Sequence, residues 1–276
     1  MATNPSMRAI APSGRFFFAV SMVAFGIQHV VYTGFIVGLE FVPEWIPAHT
    51  FWAYFTAAAL VYAGVSIAIE KKARPAAILL GLAFFLCVLV RRAPSIVAIL
   101  HDVGERTSAF ETLAMCGGSL VLAAALPLEH ASLAGWNAAA DKLAPPGRFF
   151  IAISMAIFGI DHFLVPGFIA GLIPAWIPWH WFWVYFTAAG FIAAAVSIAI
   201  AKHMRLAGTL LGIMFFLWVV LLHAPRVAAD PHNGDEWNSA FVALTMSGCA
   251  LTVAGGPRSR LNQAAPTRSP GHKLRK

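Results

Sequence analysis

Two histidines stand where an imidazole could do work: His29 closes the series Ser21, Phe25, His29, and His162 closes Ser154, Phe158, His162. Four-residue steps put each trio on one face of a helix. Imidazole changes charge near neutral pH, so either ring suits a general base or a hydrogen-bonding contact to a ligand. Asp161 precedes His162 but lies about 100° further round a helix, so the two are not a ready-made pair on one face. His49, His180, His223, Arg92 and Glu111 collect at a similar level of the chain's hydropathy pattern, and Trp45 and Trp176 crowd near them. His162, His180 and His223 could bind copper, zinc or haem iron in principle, since imidazole suits all three. No HxxxH spacing supports such a site, and the metal stays unassigned. Cys87, Cys116 and Cys249 form no CxxC pair, which weakens a dithiol mechanism. A Cys87–Cys116 bridge is the only one worth testing; packing is the simpler role for small apolar residues. There is no glycine-rich phosphate loop and no Ser-His-Asp order.

The elements that position these residues are membrane helices. The 276 residues are 59% hydrophobic and 11% charged, with a mean hydropathy of +0.75, far from a soluble domain's composition. A bilayer core of about 30 Å asks for roughly 20 apolar residues per helix. Eight such stretches are expected, near residues 16–38, 50–69, 76–97, 108–127, 149–172, 181–201, 206–223 and 239–255. The first could pass for a signal peptide, but its apolar run continues through Gly34 and Phe35 and is repeated in mid-chain, so it is read as a retained helix.

That repetition organises the whole sequence. Gly14-Arg15-Phe16-Phe17 returns as Gly147-Arg148-Phe149-Phe150, and Gly26 and His29 return as Gly159 and His162, at an offset of 133. Beyond the following loop the offset becomes 131, which aligns Pro43-Glu44-Trp45-Ile46-Pro47 with Pro174-Ala175-Trp176-Ile177-Pro178 and Ala93-Pro94 with Ala224-Pro225. Such self-similarity signals duplication. The expected fold is all-α: two four-helix bundles as parallel repeats, related by a pseudo-two-fold axis along the membrane normal. The expected layout is a tail (1–14), a first repeat (15–128), a linker (129–146), a second repeat (147–256) and a basic tail (257–276). If the amino terminus is cytoplasmic, that side receives fifteen Lys and Arg residues and the other only Arg91, Arg92, Arg106 and Arg226. The positive-inside rule then puts both termini in the cytoplasm. Contact with anionic lipid accounts for the basic character, and nucleic acid is excluded as a partner.

On this topology the ionisable residues form an outer polar layer. His29 lies 14 residues beyond Arg15, about 21 Å along a helix, and His162 lies equally far beyond Arg148. His49 and His180 begin the second helix of each repeat, Glu111 begins a fourth helix, and His223 ends a third helix with Arg92 as its counterpart. Proline restricts the residue before it to extended forms, so the Pro-Trp-Pro segments at 42–47 and 173–178 are expected as interfacial turns. Their tryptophans fit an aromatic belt; a sharper reading has the rings wall a pocket for a flat apolar ligand.

Phe25-Gly26-x-x-His29, Val42-Pro43-x-Trp45-x-Pro47, the Phe-Thr-Ala-Ala of the second helix, Leu221-Leu222-His223-Ala224-Pro225-Arg226 and Met115-x-Gly117-Gly118 together resemble the DoxX-like membrane proteins. Each repeat is similar to one four-helix unit of that family. The resemblance implies a component of a redox system in a bacterial cytoplasmic (inner) membrane, related to a thiosulfate:quinone oxidoreductase subunit, with a partner protein supplying the redox centre. It carries the first-helix histidine onto His29 and His162 and the third-helix histidine onto His223 alone. Arg92 and Val242 depart from the pattern. Whether the chain is itself an enzyme stays open. The catalytic candidates are His162, His29, Asp161 and His223, and the ligand-binding candidates are His180, His49, Arg92, Trp176, Trp45 and Glu111. Quinone is the favoured cofactor over haem or metal, and the partners are the bilayer, a redox protein and further copies of this chain. The alternatives are a non-catalytic scaffold for a partner protein and a small-molecule transporter. Transport ranks last, because the ionisable residues gather at one edge instead of crossing the midplane.

Overall fold

The computed structural model describes residues 5–36, 39, 41–43 and 45–256, with the backbone alone for 5–11 and 91–93. Among the described residues there is no strand, and eight helical stretches are long and apolar enough to cross a membrane. The helices are α1 Pro5–Val31, α2 His49–Ala68, α3 Ala73–Cys87, α4 Ile96–His101, α5 Val103–Ala125, α6 Ala134–Leu164, α7 Pro166–Leu172, α8 His180–Ala199, α9 Met204–Trp218, α10 Ala224–Ala229 and α11 Gly234–Gly255. α3 and α9 each run on into one turn of π-helix, Val88–Arg92 and Val219–His223.

Local chemistry sets the ends. Asp102 Oδ1 accepts a bond from Glu105 N at 2.8 Å and starts α5; Asn233 Oδ1 accepts from Asp235 N and Glu236 N and starts α11. Both are N-caps that satisfy amides otherwise left over in the first turn. The Pro-Trp-Pro segments are turns, as expected: Ile46 N donates to Pro43 O at 3.1 Å and Ile177 N to Pro174 O at 2.9 Å. Ala48 and Trp179 then enter α2 and α8 from the left-handed region, φ 63° and 60°.

Several boundaries differ from the sequence reading. α1 ends at Val31, not near 38, because Thr33 takes a left-handed φ of 54° and Gly34 N folds back to His29 O. The corresponding helix of the second repeat ends at Leu164, where Pro166, which has no N–H to continue the ladder, starts α7. Glu111 does not begin a helix; it lies in the third turn of α5. Residues 134–146, read as linker, are helical and continue into α6.

α1 packs along α2 and α11, α6 along α8 and α5, and α3 and α9 against α5 and α11 respectively. α5 and α11 also touch each other. Their apolar stretches are the most enclosed, 72% and 67% buried against 22–50% for the other six. Each repeat's first helix thus lies on the fourth helix of the other repeat. Helices in lipid gain little from apolar burial alone and associate through close backbone approach, and glycine supplies it here. A Cβ on Gly117 would run into Gly147 O, and one on Gly147 would come 2.9 Å from Gly117 O. Gly14 and Gly248 meet in the same way, each 2.9 Å from the other's carbonyl oxygen.

At the end bearing residues 69–73 and 125–133, Arg74 is 2% exposed. It donates to Leu126 O at 2.7 Å and Pro127 O at 3.0 Å, with Asp141 at 4.0 Å. A guanidinium there answers the carbonyls left over at the end of α5 and fastens the start of α6 to it. This is the basic end of the molecule; the opposite, loop-rich end carries α4, α7, α10 and the Pro-Trp-Pro turns.

Candidate functional site

The last turn of α6 carries Asp161 and His162 at the loop-rich end, 4% and 7% exposed. Their side chains leave the helix in different directions, as the helical angle requires. Asp161 turns toward α5, where its Oδ1 receives Arg106 Nη2 at 2.6 Å and Arg106 Nε at 2.7 Å. Arg106 Nη1 also donates to Leu100 O at 3.2 Å, tying the end of α4 into the same knot. Both short bonds go to one oxygen, and Asp161 Oδ2 is buried without a hydrogen-bond partner. This charge-assisted pair joins the two repeats.

His162 turns the other way. Its Nδ1 lies 2.7 Å from Phe158 O, and because a carbonyl can only accept, Nδ1 carries the proton. In the neutral ring Nε2 is then a bare acceptor, and it is buried with no partner. Two aromatic rings pack on the imidazole: Phe191 meets it edge-on at 5.3 Å, and Trp218 lies near-parallel at 6.3 Å between centroids. Phe191 and Phe215 both pack on Trp218, at 5.9 and 5.5 Å. The imidazole therefore packs against rings contributed by α8 and α9.

The first repeat starts from the same bond, His29 Nδ1 to Phe25 O at 2.7 Å, but its surroundings differ. The positions matching Phe191 and Trp218 hold Leu60 and Cys87. The His29 ring instead meets Phe35 at 5.6 Å, and Phe35 meets His49 at 6.3 Å. Gln28 takes the place of Asp161, with both amide atoms buried and unpartnered. Trp237 takes the place of Arg106 and donates to Pro231 O at 3.0 Å.

The remaining candidates are less gathered. His180 is half-buried at the start of α8, and His223 ends the π turn after α9 with Nδ1 buried and unpartnered. Among the described residues no three His, Cys, Asp or Glu side chains converge as a metal site requires. Trp45 and Trp176 are 80% and 67% exposed. Glu111 is half-buried, and the Arg92 side chain lies outside the described residues. The three cysteines are buried, and none of them is in a disulfide. Sequence reading passed over Arg106, Phe191 and Trp218. The repeat alignment held a signal for the last two, an aromatic ring in one copy opposite a smaller residue in the other.

Residues 151–243, from the middle of α6 into α11, match a family described as a domain of unknown function, DUF8561. The match falls within the second repeat and takes in His162, Phe191, Trp218 and His223. No curated protein and no solved structure matches the chain.

Proposed function

We propose that this protein is a DoxX-like membrane component of a redox system, and that its second repeat holds a quinol headgroup at the loop-rich end, on the outer side of a bacterial inner membrane. The observation that carries this reading is the buried, unpartnered Nε2 of His162 on an imidazole packed against Phe191 and Trp218. A buried polar atom is costly unless something bonds it, and intramembrane ionisable groups are functional candidates by default. A flat ligand with a hydroxyl fits both needs, stacking on Phe191 or Trp218 and donating to Nε2. Oxidation of a quinol to a quinone releases two electrons and two protons. His162 takes one of the protons at Nε2 and the other leaves to water at the loop-rich end; both electrons pass to a redox centre in a partner protein.

The proposal includes two parallel repeats around an axis normal to the membrane, with both termini cytoplasmic. The matching glycine contacts of the two repeats and the excess of Lys and Arg at the basic end support it. Single cysteines placed in a cysteine-free background test the orientation. Those at His101 and His232 are expected to react with an impermeant thiol reagent from outside, and those at Lys72 and Lys202 only from inside. The reverse pattern would sink it.

Ligand binding is tested on detergent-purified protein by extracting co-purifying quinone for mass spectrometry and by titrating a short-chain quinol against tryptophan fluorescence. His162→Ala is expected to weaken binding about tenfold, the worth of one good buried hydrogen bond, and His29→Ala by less than about twofold. Equal effects, or no quinol binding by the wild type, would overturn the reading. Protein free of small molecules that co-purifies with a soluble redox enzyme would favour the scaffold instead.

A further inference from the structure

The basic end contrasts with the His162 site. In the first repeat Arg15 is neutralised by an ion pair with Glu70, and Arg74 is absorbed by the carbonyls ending α5. Both arginines have counterparts in the second repeat, Arg148 and Arg205, but neither has the same partner. The residue matching Glu70 is Ala201, which holds the same left-handed backbone, φ 56° against 57°. Helix register carries the comparison across. A Cβ on Gly26 would meet Val61 at 2.6 Å and Ala57 O at 2.7 Å, and one on Gly159 would meet the matching Ile192 at 2.8 Å and Ala188 O at 3.1 Å. Since α6 sits on α8 as α1 sits on α2, Arg148 faces the Ala201 turn. Among the described residues it meets no carboxylate there: Arg148 Nε is buried and unpartnered, and its guanidinium carbon lies 5.1 Å over the Phe149 ring. The same turn carries Lys202 and His203, and Arg205 follows in the first turn of α9; all three are exposed.

We infer that Arg148, together with Lys202 and Arg205, binds the phosphate of an anionic phospholipid at the basic end of the second repeat. On the topology proposed above, this end of the helices lies at the level of lipid headgroups. A guanidinium fork suits the non-bridging oxygens of a phosphodiester, and neighbouring basic groups at a membrane surface add to the attraction. The first repeat has no such site, because Glu70 fills the place of the phosphate with a carboxylate of the chain's own.

Native mass spectrometry of the full chain from nanodiscs of phosphatidylcholine with increasing phosphatidylglycerol tests this, using two reciprocal variants. Ala201→Glu installs the carboxylate of the first repeat and is expected to weaken retention of one phosphatidylglycerol about fivefold, the factor one basic group near a surface contributes. Glu70→Ala should create a second retained lipid. Wild-type retention by Ala201→Glu together with no gain in Glu70→Ala would overturn the inference. So would displacement of the lipid by millimolar inorganic phosphate, which would assign the site to a soluble anion. Quinol titration of the same variants should be unchanged, so the failure of one site is distinguishable from that of the other.

Discussion

His29 and His162 make the same bond to the carbonyl four residues back, 2.7 Å in each, and then meet different company. His162 meets Phe191 and Trp218, whereas the matching positions of the first repeat hold Leu60 and Cys87 and the ring that His29 meets is Phe35. Beside His29 stands Gln28, and beside His162 stands Asp161 with Arg106 upon it. The repeated features are those of the frame: close glycine contacts, left-handed turns, π turns and helix-bonded imidazoles. The features that differ are the side chains around each imidazole, both its neighbour in sequence and those on the helices beside it. Backbone geometry is shared where the helices touch, and side-chain chemistry differs around the two imidazoles and among the charged groups.

The sharpest way to break this comparison is at the polar residues preceding the two histidines. Asp161→Leu leaves the Arg106 guanidinium in a partly buried site without its carboxylate, and removing one partner of a buried pair costs about 3–5 kcal/mol. A large drop in Tm in detergent is expected. Gln28→Leu removes amide atoms that have no partner, so it is expected to be neutral or mildly stabilising. The double variant Arg106→Leu with Asp161→Leu should recover most of the loss. If Gln28→Leu proves as harmful as Asp161→Leu, the two sites are equivalent and the comparison fails.

Much of this was legible in the sequence. Eight apolar runs of helix length, the offsets of 133 and 131, and the Pro-Trp-Pro turns all follow from local composition and spacing, and each corresponds to a described element. The inward face of Ser21, Phe25 and His29 was legible too, since all three are 0% exposed. The Arg106–Asp161 pair was not. Its residues are 55 apart, and pairing them requires knowing that α5 of one repeat lies on α6 of the next. Burial of Arg74 was hidden for a similar reason, because its acceptors belong to the end of α5. The helical run from residue 134 through Pro145 and Pro146 was masked by polar composition and by prolines that suggest a break.

A smaller effect tests whether the shared frame is symmetric in energy as well as in shape. Gly117→Ala would press a methyl on Gly147 O and Ile151 N, and Gly248→Ala on Gly14 O and Phe18 N. These are matching contacts, since Ile151 and Phe18 are themselves equivalent. Overpacking of this kind costs about 1–3 kcal/mol. The two substitutions should lower Tm in detergent by similar amounts. A difference beyond about 1 kcal/mol would mean that one interface is looser than its partner, and that divergence reached the frame itself.

The smallest effect is expected at the more exposed of the charged contacts that the repeats do not share. Arg15 and Glu70 form an ion pair with side chains 25% and 36% exposed, open enough for water and salt to reach. Exposed pairs of this sort are worth about 0–1 kcal/mol, since desolvation and side-chain ordering offset most of the attraction. Glu70→Ala should therefore change Tm little at low salt, and that difference should vanish near 1 M salt, where the Debye length falls to about 3 Å. Ala201→Glu should bring a gain of similar size, with the same salt dependence. A loss above about 2 kcal/mol for Glu70→Ala would show that the first repeat needs its internal carboxylate for folding. The absence of an equivalent at Ala201 would then mark a real weakness of the second repeat, which a bound phosphate would have to make good.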